Sequence, residues 1–593
     1  MPGVKNKIKE LSELIVSQIA AGEVIESPVA VVKELLENSL DAEPEKIEIF
    51  IQNNGLDSIQ IRDDGSGIDK NDLPLALKSF ATSKIKSIED IHQIITMGFR
   101  GEALSSIRSV SKITIDSRVA SSPNGWKISA EADTIYAVSP SAIPKGTRVV
   151  VEELFFNVPV RKKFISAEKR LKKEYIDLVT TYAIAHENKS FSLFLEGDNK
   201  IQVPKSKNLK ERMEKIYTAE FSEKLIPLYN NKKGITVEGF ISGINSYHST
   251  SGFIKFYVNK RPVEYKGAIA LLRRAYGELL PSGSFPAAFL FFEIDPDLID
   301  VNIHPQKKEI RFDEEIEFEK FLITTLSNTL SRSGAIPYSH IKNRPSPEVV
   351  NRNNNTLAEP SLQYAIELSA FEKKASLSET EHFSEHSDAA TPVNKESRDF
   401  KPQKILGKIL DTYIVASSEK GIFLVDQHTA HERIRYEEIL EKLKNKIAVS
   451  QKLLHPLAVQ FSPGEKEALK NYQSEIESIG FFLEDLGPAG ICITDIPEYV
   501  KNNMEEKALR LLLTLLENNS KNHNKVSSAE LFDQMAKSMA CRGAVKKGEE
   551  ISLASMEELL KELVKCKEPS RCPHGRPVIV FINKDEIDMM FKR

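Results

Sequence analysis

The chain has 593 residues, of which 41% are hydrophobic and 28% charged, and its formal net charge is −4. At about 150 residues per domain, this length predicts three or four domains with sizeable cores. Four cysteines in so long a chain exclude a disulfide framework, and no apolar run approaches the ~20 residues that span a bilayer. We therefore expect a cytoplasmic protein without a signal peptide, whose nucleic-acid contacts come from local basic patches.

The segment that begins at Ser27 predicts an amphipathic helix. Ser27 suits the N-cap and Pro28 the first turn. The apolar face comprises Val31, Val32, Leu35 and Leu36. On the opposite side, Glu34, Asn38 and Asp41 fall within about 60° at ~100° per residue. A carboxylate can deprotonate a water and an amide oxygen can bind Mg²⁺, although a solvated helix face explains the same three residues.

Short predicted strands at Ile47–Ile51 and Ser58–Ile61 lead into glycine-containing motifs. Gly65 and Gly67 allow a tight turn and close approach of the backbone to a ligand, and Asp63 can accept from an amino group. The later motifs are Ala81–Lys84, Gly98–Leu104 and Gly146–Val149. Each motif alone is weak evidence, because glycine turns are common.

Together and in this order, the motifs resemble the ATP-binding domain shared by type II topoisomerases, histidine kinases and DNA mismatch-repair proteins. The strings LLENSLDA, GFRGEAL and LFFNVPVRKKF narrow the resemblance to the MutL family of mismatch-repair proteins. The similarity covers the chain except its middle. No G-x-x-x-x-G-K-[ST] string occurs, so a P-loop mechanism has no residues to use.

The resemblance implies roles for individual residues. Glu34 is similar to the general base that activates the hydrolytic water, Asn38 to the Mg²⁺ ligand, and Asp63 to the residue that reads adenine. The other residues implied to bind ATP are Gly65, Gly67, Thr82, Ser83, Lys84, Gly98, Phe99, Arg100, Gly101, Glu102, Ala103, Leu104, Thr147 and Lys307. Lys307 matches the family lysine that reaches the γ-phosphate. Asp64 stands where many members have Asn.

The chain is predicted to be of the α+β class, in four segments. Residues 1–210 are expected to form an ATPase domain, an α/β sandwich, and residues 215–335 a second α+β subdomain that resembles a ribosomal-protein fold and lines a DNA groove. Residues 336–402 have little to bury and predict a disordered, flexible linker. At about 65 residues it reaches roughly 40–50 Å root-mean-square. Residues 403–593 resemble an α/β dimerisation domain, into which a largely helical regulatory subdomain, about 452–540, is inserted.

Two basic clusters are candidates for contact with DNA phosphates. The first lies on or beside one predicted helix, for which a solvated helix face is the alternative. The second lies near a helix predicted over Gly267–Leu280. The candidate DNA-binding residues are Arg161, Lys162, Lys163, Lys260, Arg261, Arg273 and Arg274.

The C-terminal part contains three strings with potential metal ligands. Lys404–Ala416 and Gly421–Val425 predict two strands of a hairpin, after which a helix begins. The candidate ligands are Asp426, His428, Glu432, Cys541, Cys572 and His574. Thiolate, imidazole and carboxylate are a usual zinc ligand set, and two cations can share such a cluster. For the first string alone, a strand-to-helix junction capped by Asp426 is the simpler interpretation.

These three strings resemble the endonuclease site of nicking MutL proteins, which implies Zn²⁺ and/or Mn²⁺ beside ATP and Mg²⁺. Asp426, His428 and Glu432 would then be catalytic as well as metal-binding. Thr429 replaces the usual Ala at a position that is not a ligand.

A further string has the form Q-x-L-L-x-P. Its fixed positions are Gln451, Leu453, Leu454 and Pro456. It resembles the family's contact with the replication sliding clamp, in which apolar side chains enter a groove. The alternative is a loop that leads into Leu457–Phe461.

The resemblance as a whole implies a homodimeric, ATP-regulated, metal-dependent endonuclease of DNA mismatch repair. The mismatch-recognition protein MutS would load it on DNA and the sliding clamp would orient it. The first alternative is a non-nicking, ATP-switched coordinator with a structural zinc site. The second is a topoisomerase subunit or kinase of the same superfamily, for which we find no string carrying a tyrosine nucleophile or a phospho-acceptor histidine.

Overall fold

The computed structural model describes most of the chain in two compact units, one within Met1–Ile336 and His431–Val545 and the other within Pro337–Ala430 and Lys546–Arg593. The predicted linker, up to residue 399, lies outside the described residues. The described residues are 25–79, 81–82, 101–132, 134–165, 170–232, 234–248, 250–277, 280, 284–295, 299–300, 311–312, 315–332, 400–444, 450–487, 490–500, 504–521, 528–543, 552–573 and 575–590.

The first helix, α1, spans Pro28–Asp41 and confirms the predicted amphipathic helix. The Ser27 hydroxyl accepts from the Ala30 amide at 3.2 Å, which satisfies one of the amides that a helix start leaves unpaired. Its apolar residues are buried: Val31, Val32, Leu35, Leu36 and Leu40. The helix ends at Ala42, and Glu43 follows with a φ of 48°.

A mixed sheet forms the core of the first domain, with nine strands among the described residues. The strands are β1 Lys46–Gln52, β2 Ser58–Asp63, β3 Lys112–Arg118, β4 Gly125–Glu131, β5 Thr134–Ile135, β6 Ser139–Ser141, β7 Gly146–Glu152, β8 Ser190–Leu195 and β9 Asp198–Val203. Their order is β5-β4-β3-β7-β2-β1-β8-β9, with β6 beside β4. Antiparallel pairing joins β2 to both β1 and β7, which sets the ends of these strands side by side.

Helices cover the face of this sheet on which the alternate apolar residues of β1 and β2 are buried. The helices of this region are α2 Leu73–Ala76, α3 Ala103–Ser109, α4 Pro159–Ile165, α5 Leu171–Ala185, α6 Leu209–Ile216 and α7 Ala219–Glu223. A 3-10 turn spans Asn53–Gly55. Helix α5 packs against α1, and its buried residues include Tyr175, Val179 and Tyr182. α1 therefore packs against both the sheet and α5, and α5 packs on the sheet beside it.

The second subdomain is α+β, as predicted. Its strands and helices are β10 Leu225–Lys232, β11 Ile235–Ser242, β12 Tyr247–His248, β13 Ile254–Val258, β14 Arg261–Val263, α8 Ala268–Tyr276, β15 Phe285–Pro286, β16 Ala288–Ile294, β17 Ile299–Asp300, β18 Arg311–Phe312 and α9 Glu315–Arg332. A 3-10 turn spans Ser251–Phe253. The main sheet has the order β10-β11-β16-β13-β14, and α8 and α9 bury their apolar sides in its core.

The second unit is built on an antiparallel sheet, which has four strands in the part of the chain that the structure describes. Its elements are β19 Lys404–Ile409, β20 Tyr413–Ser417, β21 Gly421–Asp426, α15 Leu553–Lys565, β25 Ile579–Asn583 and α16 Lys584–Met590. The strand order is β19-β20-β21-β25. The prediction of one strand over Lys404–Ala416 was wrong. Leu410 and Asp411 have φ values of 50° and 49°, so the chain turns there and forms β19 and β20. Helix α10, Gln427–Lys444, follows β21.

The inserted segment contains a sheet as well as helices, so the prediction of a helical subdomain was incomplete. Its elements are β22 Ser450–Gln460, α11 Pro463–Asn471, α12 Gln473–Ser478, β23 Phe482–Asp485, β24 Gly490–Pro497, α13 Glu505–Lys521 and α14 Ser528–Gly543. β24 is central in the order β22-β24-β23. Its residues Ile491, Cys492 and Ile493 are consecutive and all buried, so the strand lacks the period of two that would have identified it.

Across the described part of the chain, we find no helix that is both long and apolar enough to cross a membrane.

Candidate ATP-binding and metal-binding sites

Asp63 lies at the end of β2, buried beneath the turn that follows. Its carboxylate accepts from the Ser39 hydroxyl of α1 and from the Gly65 amide, each at 3.0 Å. Burial raises the pKa of Asp63, and these hydrogen bonds oppose the rise. The geometry gives a fixed acceptor of the kind that an exocyclic amino group needs.

Thr147 lies opposite Asp63 in the register of β2 and β7. The Ser117 hydroxyl donates to the Gly146 carbonyl at 3.0 Å, so the Thr147 hydroxyl, 2.9 Å away, donates to Ser117. The Ile68 amide also donates to Ser117, at 2.8 Å. Ser117 thus joins the turn after β2 to strands β3 and β7, a role that nothing in its local sequence indicates.

The glycines around Asp63 let segments of backbone pack closely against one another. A Cβ on Gly65 would lie 2.6 Å from the Ala42 carbonyl oxygen, and one on Gly146 would lie 2.0 Å from the Asp63 carbonyl oxygen. Gly67 has a φ of 77°, and a Cβ there would meet the Arg118 carbonyl oxygen at 2.3 Å. Glycine at these positions therefore fixes the path of the backbone around Asp63.

Asp64, where many family members have Asn, is exposed and binds the backbone at the start of β1. Its Oδ1 accepts from the Glu45 and Lys46 amides at 2.7 and 2.9 Å. Because one oxygen accepts both bonds, an Asn side chain offers the same acceptor. The departure from the family pattern is thus conservative at this position.

The polar side of α1 carries the three polar residues that helical spacing placed together. Glu34, Asn38 and Asp41 are each partly buried, one helical turn apart. Lys33 lies beside Glu34, with its Nζ 4.0 Å from Glu34 Oε1. The sequence pattern that predicted a catalytic stripe did not single out Lys33.

The predicted lid is only partly described. Thr82, Gly101, Glu102, Ala103 and Leu104 are described, whereas Ser83, Lys84, Gly98, Phe99 and Arg100 lie outside the described residues, as does Lys307. Gly101 has a φ of 63°, and a Cβ on it would lie 2.5 Å from the Ala81 carbonyl oxygen. The described ends of the two lid motifs are therefore adjacent.

The basic residues predicted to bind DNA have different surroundings. Arg161, on α4, donates to the Ile25 carbonyl at 2.9 Å. Arg274 pairs with Glu319 at 3.0 Å, and the Arg273 guanidinium lies 5.3 Å from the Phe285 ring centroid. The remaining members are Lys162 and Lys163 on α4, Lys260 in the tight turn before β14, and Arg261 on β14. Their contact with DNA stays a prediction.

In the C-terminal unit, two of the predicted ligand strings lie at one end of the sheet. The Asp426 amide donates to the Val578 carbonyl at 3.0 Å, where β21 and β25 meet. The Cys572 amide donates to the Arg576 carbonyl at 2.8 Å, which closes the turn before β25. Cys572 is buried.

Asp426 also caps α10. Its Oδ1 accepts from the Thr429 amide at 2.9 Å, and the Thr429 hydroxyl donates to the Asp426 carbonyl at 3.3 Å. His428 is partly buried in the first turn, and Glu432 is buried one turn further. Among the described residues, no three His, Cys, Asp or Glu side chains form a group that holds a metal. His574 and the side chain of Cys541 do not belong to the described part of the chain.

The predicted clamp-binding string forms part of β22 rather than a loop. β22 pairs with β24 up to Lys452 and again from Leu457 onward, and the register shifts between these two residues. Within this interruption Leu454 is 90% exposed, whereas Leu453 packs against the core of the inserted segment. Gln451 and Pro456 flank them, both exposed.

Three family models match consecutive parts of the chain. Residues 25–149 match the histidine kinase-, DNA gyrase B- and HSP90-like ATPase family, and residues 213–331 match the DNA mismatch repair protein C-terminal domain. Residues 406–551 match the MutL C-terminal dimerisation domain.

Similar proteins match the chain along its whole length. The DNA mismatch repair protein MutL of Leptospira biflexa is 36% identical over 99% of both chains. MutL of Methanothrix thermoacetophila is 36% identical over 99% of this chain and all of its own. Among solved structures, the Aquifex aeolicus MutL ATPase domain complexed with ADP is 34% identical, covers 46% of this chain and 94% of its own, and has a TM-score of 0.34.

Proposed function

The chain belongs to the MutL family of DNA mismatch-repair proteins, and from this premise we propose that it is a homodimeric, ATP-regulated endonuclease that nicks DNA. Its ATPase and dimerisation domains follow from the family matches. The observation that carries the nuclease proposal is that one chain joins an ATPase domain to all three ligand strings. These are DQH at Asp426–His428, ACR at Ala540–Arg542 and CPHGRP at Cys572–Pro577.

In the ATPase half, Glu34 orients and deprotonates the attacking water, and Asp63 accepts from the adenine amino group. The buried acceptor, held by the Ser39 hydroxyl and the Gly65 amide, supports the adenine assignment. Asn38 supplies the amide oxygen for Mg²⁺, a hard cation that prefers oxygen ligands. When bound, Mg²⁺ would neutralise negative charge on the phosphates. Thr82, Ser83, Lys84 and Gly98–Leu104 close over the phosphates, with Lys307 reaching the γ-phosphate.

In the nuclease half, Asp426, His428, Glu432, Cys541, Cys572 and His574 hold Zn²⁺ and/or Mn²⁺. Their carboxylate, imidazole and thiolate donors fit these metals, and two of the strings meet at one sheet end. When bound, the metal would polarise the scissile phosphate and lower the pKa of a coordinated water.

The proposal includes partners that the family resemblance implies. The basic residues of α4, α8 and the β13–β14 turn contact DNA phosphates, and MutS loads the dimer at a mismatch. The sliding clamp binds the string around the exposed Leu454, which lies where β22 leaves its pairing with β24. The activity takes place on DNA in the cytoplasm.

A second candidate function is a non-nicking coordinator that uses ATP as a switch. Asp426 favours it in one respect, because its Oδ1 already caps α10 through the Thr429 amide. In that case the thiolate and imidazole residues would form a structural zinc site.

Paired variants of the full chain test the proposal. Glu34→Gln should still bind ATP but lose turnover, and Asp426→Asn should lose nicking but keep turnover, because the two sites use separate residues. Nucleotide titration, phosphate release and plasmid nicking are measured on both variants. Unchanged turnover in Glu34→Gln would remove Glu34 as the base. Loss of both activities in either variant, with an altered melting curve, would indicate misfolding and remove that variant as support.

A further inference from the structure

A buried carboxylate and a buried phenol lie behind the catalytic face of α1. Glu37, on α1, is 5% exposed, and Tyr182, on α5, is 2% exposed. The Tyr182 hydroxyl donates a hydrogen bond to Glu37 Oε1. The two residues are far apart in sequence and meet only because α5 packs against α1.

Lys33 connects this pair to the proposed catalytic base. Its Nζ lies 3.6 Å from Glu37 Oε1 and 4.0 Å from Glu34 Oε1. Lys33 and Glu37 are four residues apart on one helix, where side chains face each other. Lys33 and Glu37 have little exposure, so solvent screens their interaction weakly.

The Tyr182 hydroxyl keeps the proton that it donates to Glu37. Burial raises the pKa of Tyr182 well above its ordinary value, and the nearby carboxylates of Glu37 and Glu34 raise it further. Arg261 of β14 opposes this rise. The phenol therefore stays protonated and can act as a donor throughout the physiological pH range.

A polar pair in this place is costly without a function. Burying a carboxylate requires desolvation that only good partners offset, and apolar residues of similar volume would fill the same space between two helices. Glu37 contacts Lys33, and Lys33 lies beside Glu34, so the contacts lead from the buried pair to the proposed base.

We infer that Tyr182, Glu37 and Lys33 are positioning residues for ATP hydrolysis: Tyr182 fixes Glu37, Glu37 holds Lys33, and Lys33 orients the Glu34 carboxylate. The inference rests on the proposed role of Glu34 as base. A base that is misplaced by a fraction of an ångström loses rate without losing substrate affinity, because only the transition state depends on its exact orientation. α5, which belongs to the packed core, supplies the rigid anchor.

The test is Tyr182→Phe in the full-length protein, with Tyr175→Phe as the matched control. Tyr175 lies on the same helix, is equally buried, and donates to the Asn54 carbonyl at 2.9 Å instead of to α1. Single-turnover hydrolysis of bound ATP is measured beside the ATP dissociation constant. We expect Tyr182→Phe to slow hydrolysis by about 10-fold or more and to change affinity less than about 2-fold. Tyr175→Phe should leave the rate of hydrolysis unchanged.

A second pair of variants tests the middle of the network. Lys33→Arg keeps a cation between the two carboxylates and should retain most of the rate. Lys33→Met removes the cation and should lose about as much as Tyr182→Phe. The inference requires the positive charge of residue 33, which Arg keeps and Met removes. Equal rates of hydrolysis in Lys33→Arg and Lys33→Met would therefore overturn it. Unchanged hydrolysis in Tyr182→Phe, or equal losses in the two tyrosine variants, would also overturn it.

Glu34→Gln separates this inference from the proposal on which it rests. If Glu34→Gln keeps full turnover, Glu34 is not the base, and the network has nothing to position. If Glu34→Gln loses turnover while Tyr182→Phe and Lys33→Met hydrolyse ATP normally, the base assignment stands and the positioning inference alone fails.

Discussion

Asp63 is the residue proposed to recognise adenine. It is buried, it is fixed by Ser39 and by the Gly65 amide, and the glycines around it let the backbone pack closely. A buried acceptor whose partners are fixed discriminates strongly between ligands, because a ligand without a matching donor leaves it unsatisfied.

Asp63→Asn should weaken ATP binding by about 10-fold or more, because the amide would direct N–H groups at donors and at the adenine amino group. Titration with a fluorescent ATP analogue measures the affinity. Asp64→Asn is the matched control and should stay within about 2-fold, since its Oδ1 accepts both backbone bonds. Equal losses in the two variants would contradict the adenine assignment.

His186, at the end of α5, makes stability depend on pH. Burial, assisted by three nearby cations, lowers the pKa of His186 to about 4, with Asp41 opposing. The cations are Lys189, Lys260 and Arg212. The unfolded chain takes up this proton near pH 6.5, whereas the folded protein does so only near pH 4. The contribution of neutral His186 to the free energy of unfolding is therefore complete above pH 6.5 and is lost as the pH falls towards 4.

At pH 5 this loss should amount to about 2 kcal/mol from His186 alone. His186→Gln does not titrate, so its free energy of unfolding should fall less than that of the parent between pH 7.5 and 5. Denaturant unfolding at the two pH values measures the difference. His455→Gln, which alters an exposed histidine on β22, is the control. Identical pH dependence in the parent and His186→Gln would refute the assignment.

At the residue scale, the sequence identifies what lies on one helix or one turn. Helical spacing placed Glu34 and Asn38 on the polar side of α1, and the turn after β2 pointed to Asp63. Tyr182 and Ser117 are far from these motifs in sequence, so only the packing of α5 and the pairing of β3 with β7 bring them to the site. The sequence signal for Lys33 is its spacing on the helix, next to Glu34 and four residues before Glu37.

At the scale of elements, β22 shows how a strand can present a binding string. Pairing with β24 fixes both ends of β22, and within the register shift Leu454 is exposed whereas Leu453 packs against the core. The Leu454 side chain is 90% exposed, so it contributes little to the core and is accessible to a partner. The sequence predicted the string but offered a loop as its alternative, because Pro456 argues against a regular strand.

Leu454→Ala should weaken binding to the sliding clamp and change the free energy of unfolding by less than about 0.5 kcal/mol, because the side chain is solvent-exposed. Leu453→Ala should cost roughly 1 kcal/mol of stability, because its side chain packs on the core of the inserted segment. A pull-down with purified clamp and a melting curve measure the two effects. Clamp binding that survives in Leu454→Ala would remove this string as the contact.

Two features of the C-terminal part were missed for different physical reasons. The turn between β19 and β20 is made by Leu410 and Asp411, which have positive φ values although neither is the glycine that usually marks such a turn. β24 is buried along most of its length and so shows no alternation of apolar and polar residues.

At the scale of the whole molecule, the chain separates an ATP site from a candidate nuclease site. The family matches place the ATPase and dimerisation domains at opposite ends of the sequence. The predicted linker between them, residues 336–402, would let the ATPase domains associate around a duplex and part again while the dimerisation domains stay joined. The limits of these domains stay predictions.

Nicking of supercoiled plasmid by the purified full-length protein in Mn²⁺ tests the central claim most directly. The parent is compared with Asp426→Asn and with a parallel reaction in chelator, and agarose gels follow the relaxed product. The account predicts relaxed plasmid with the parent in Mn²⁺, and none with Asp426→Asn or in chelator. Absence of nicking by the parent, even with sliding clamp and ATP added, would contradict the nuclease proposal and favour the coordinator with a structural zinc site.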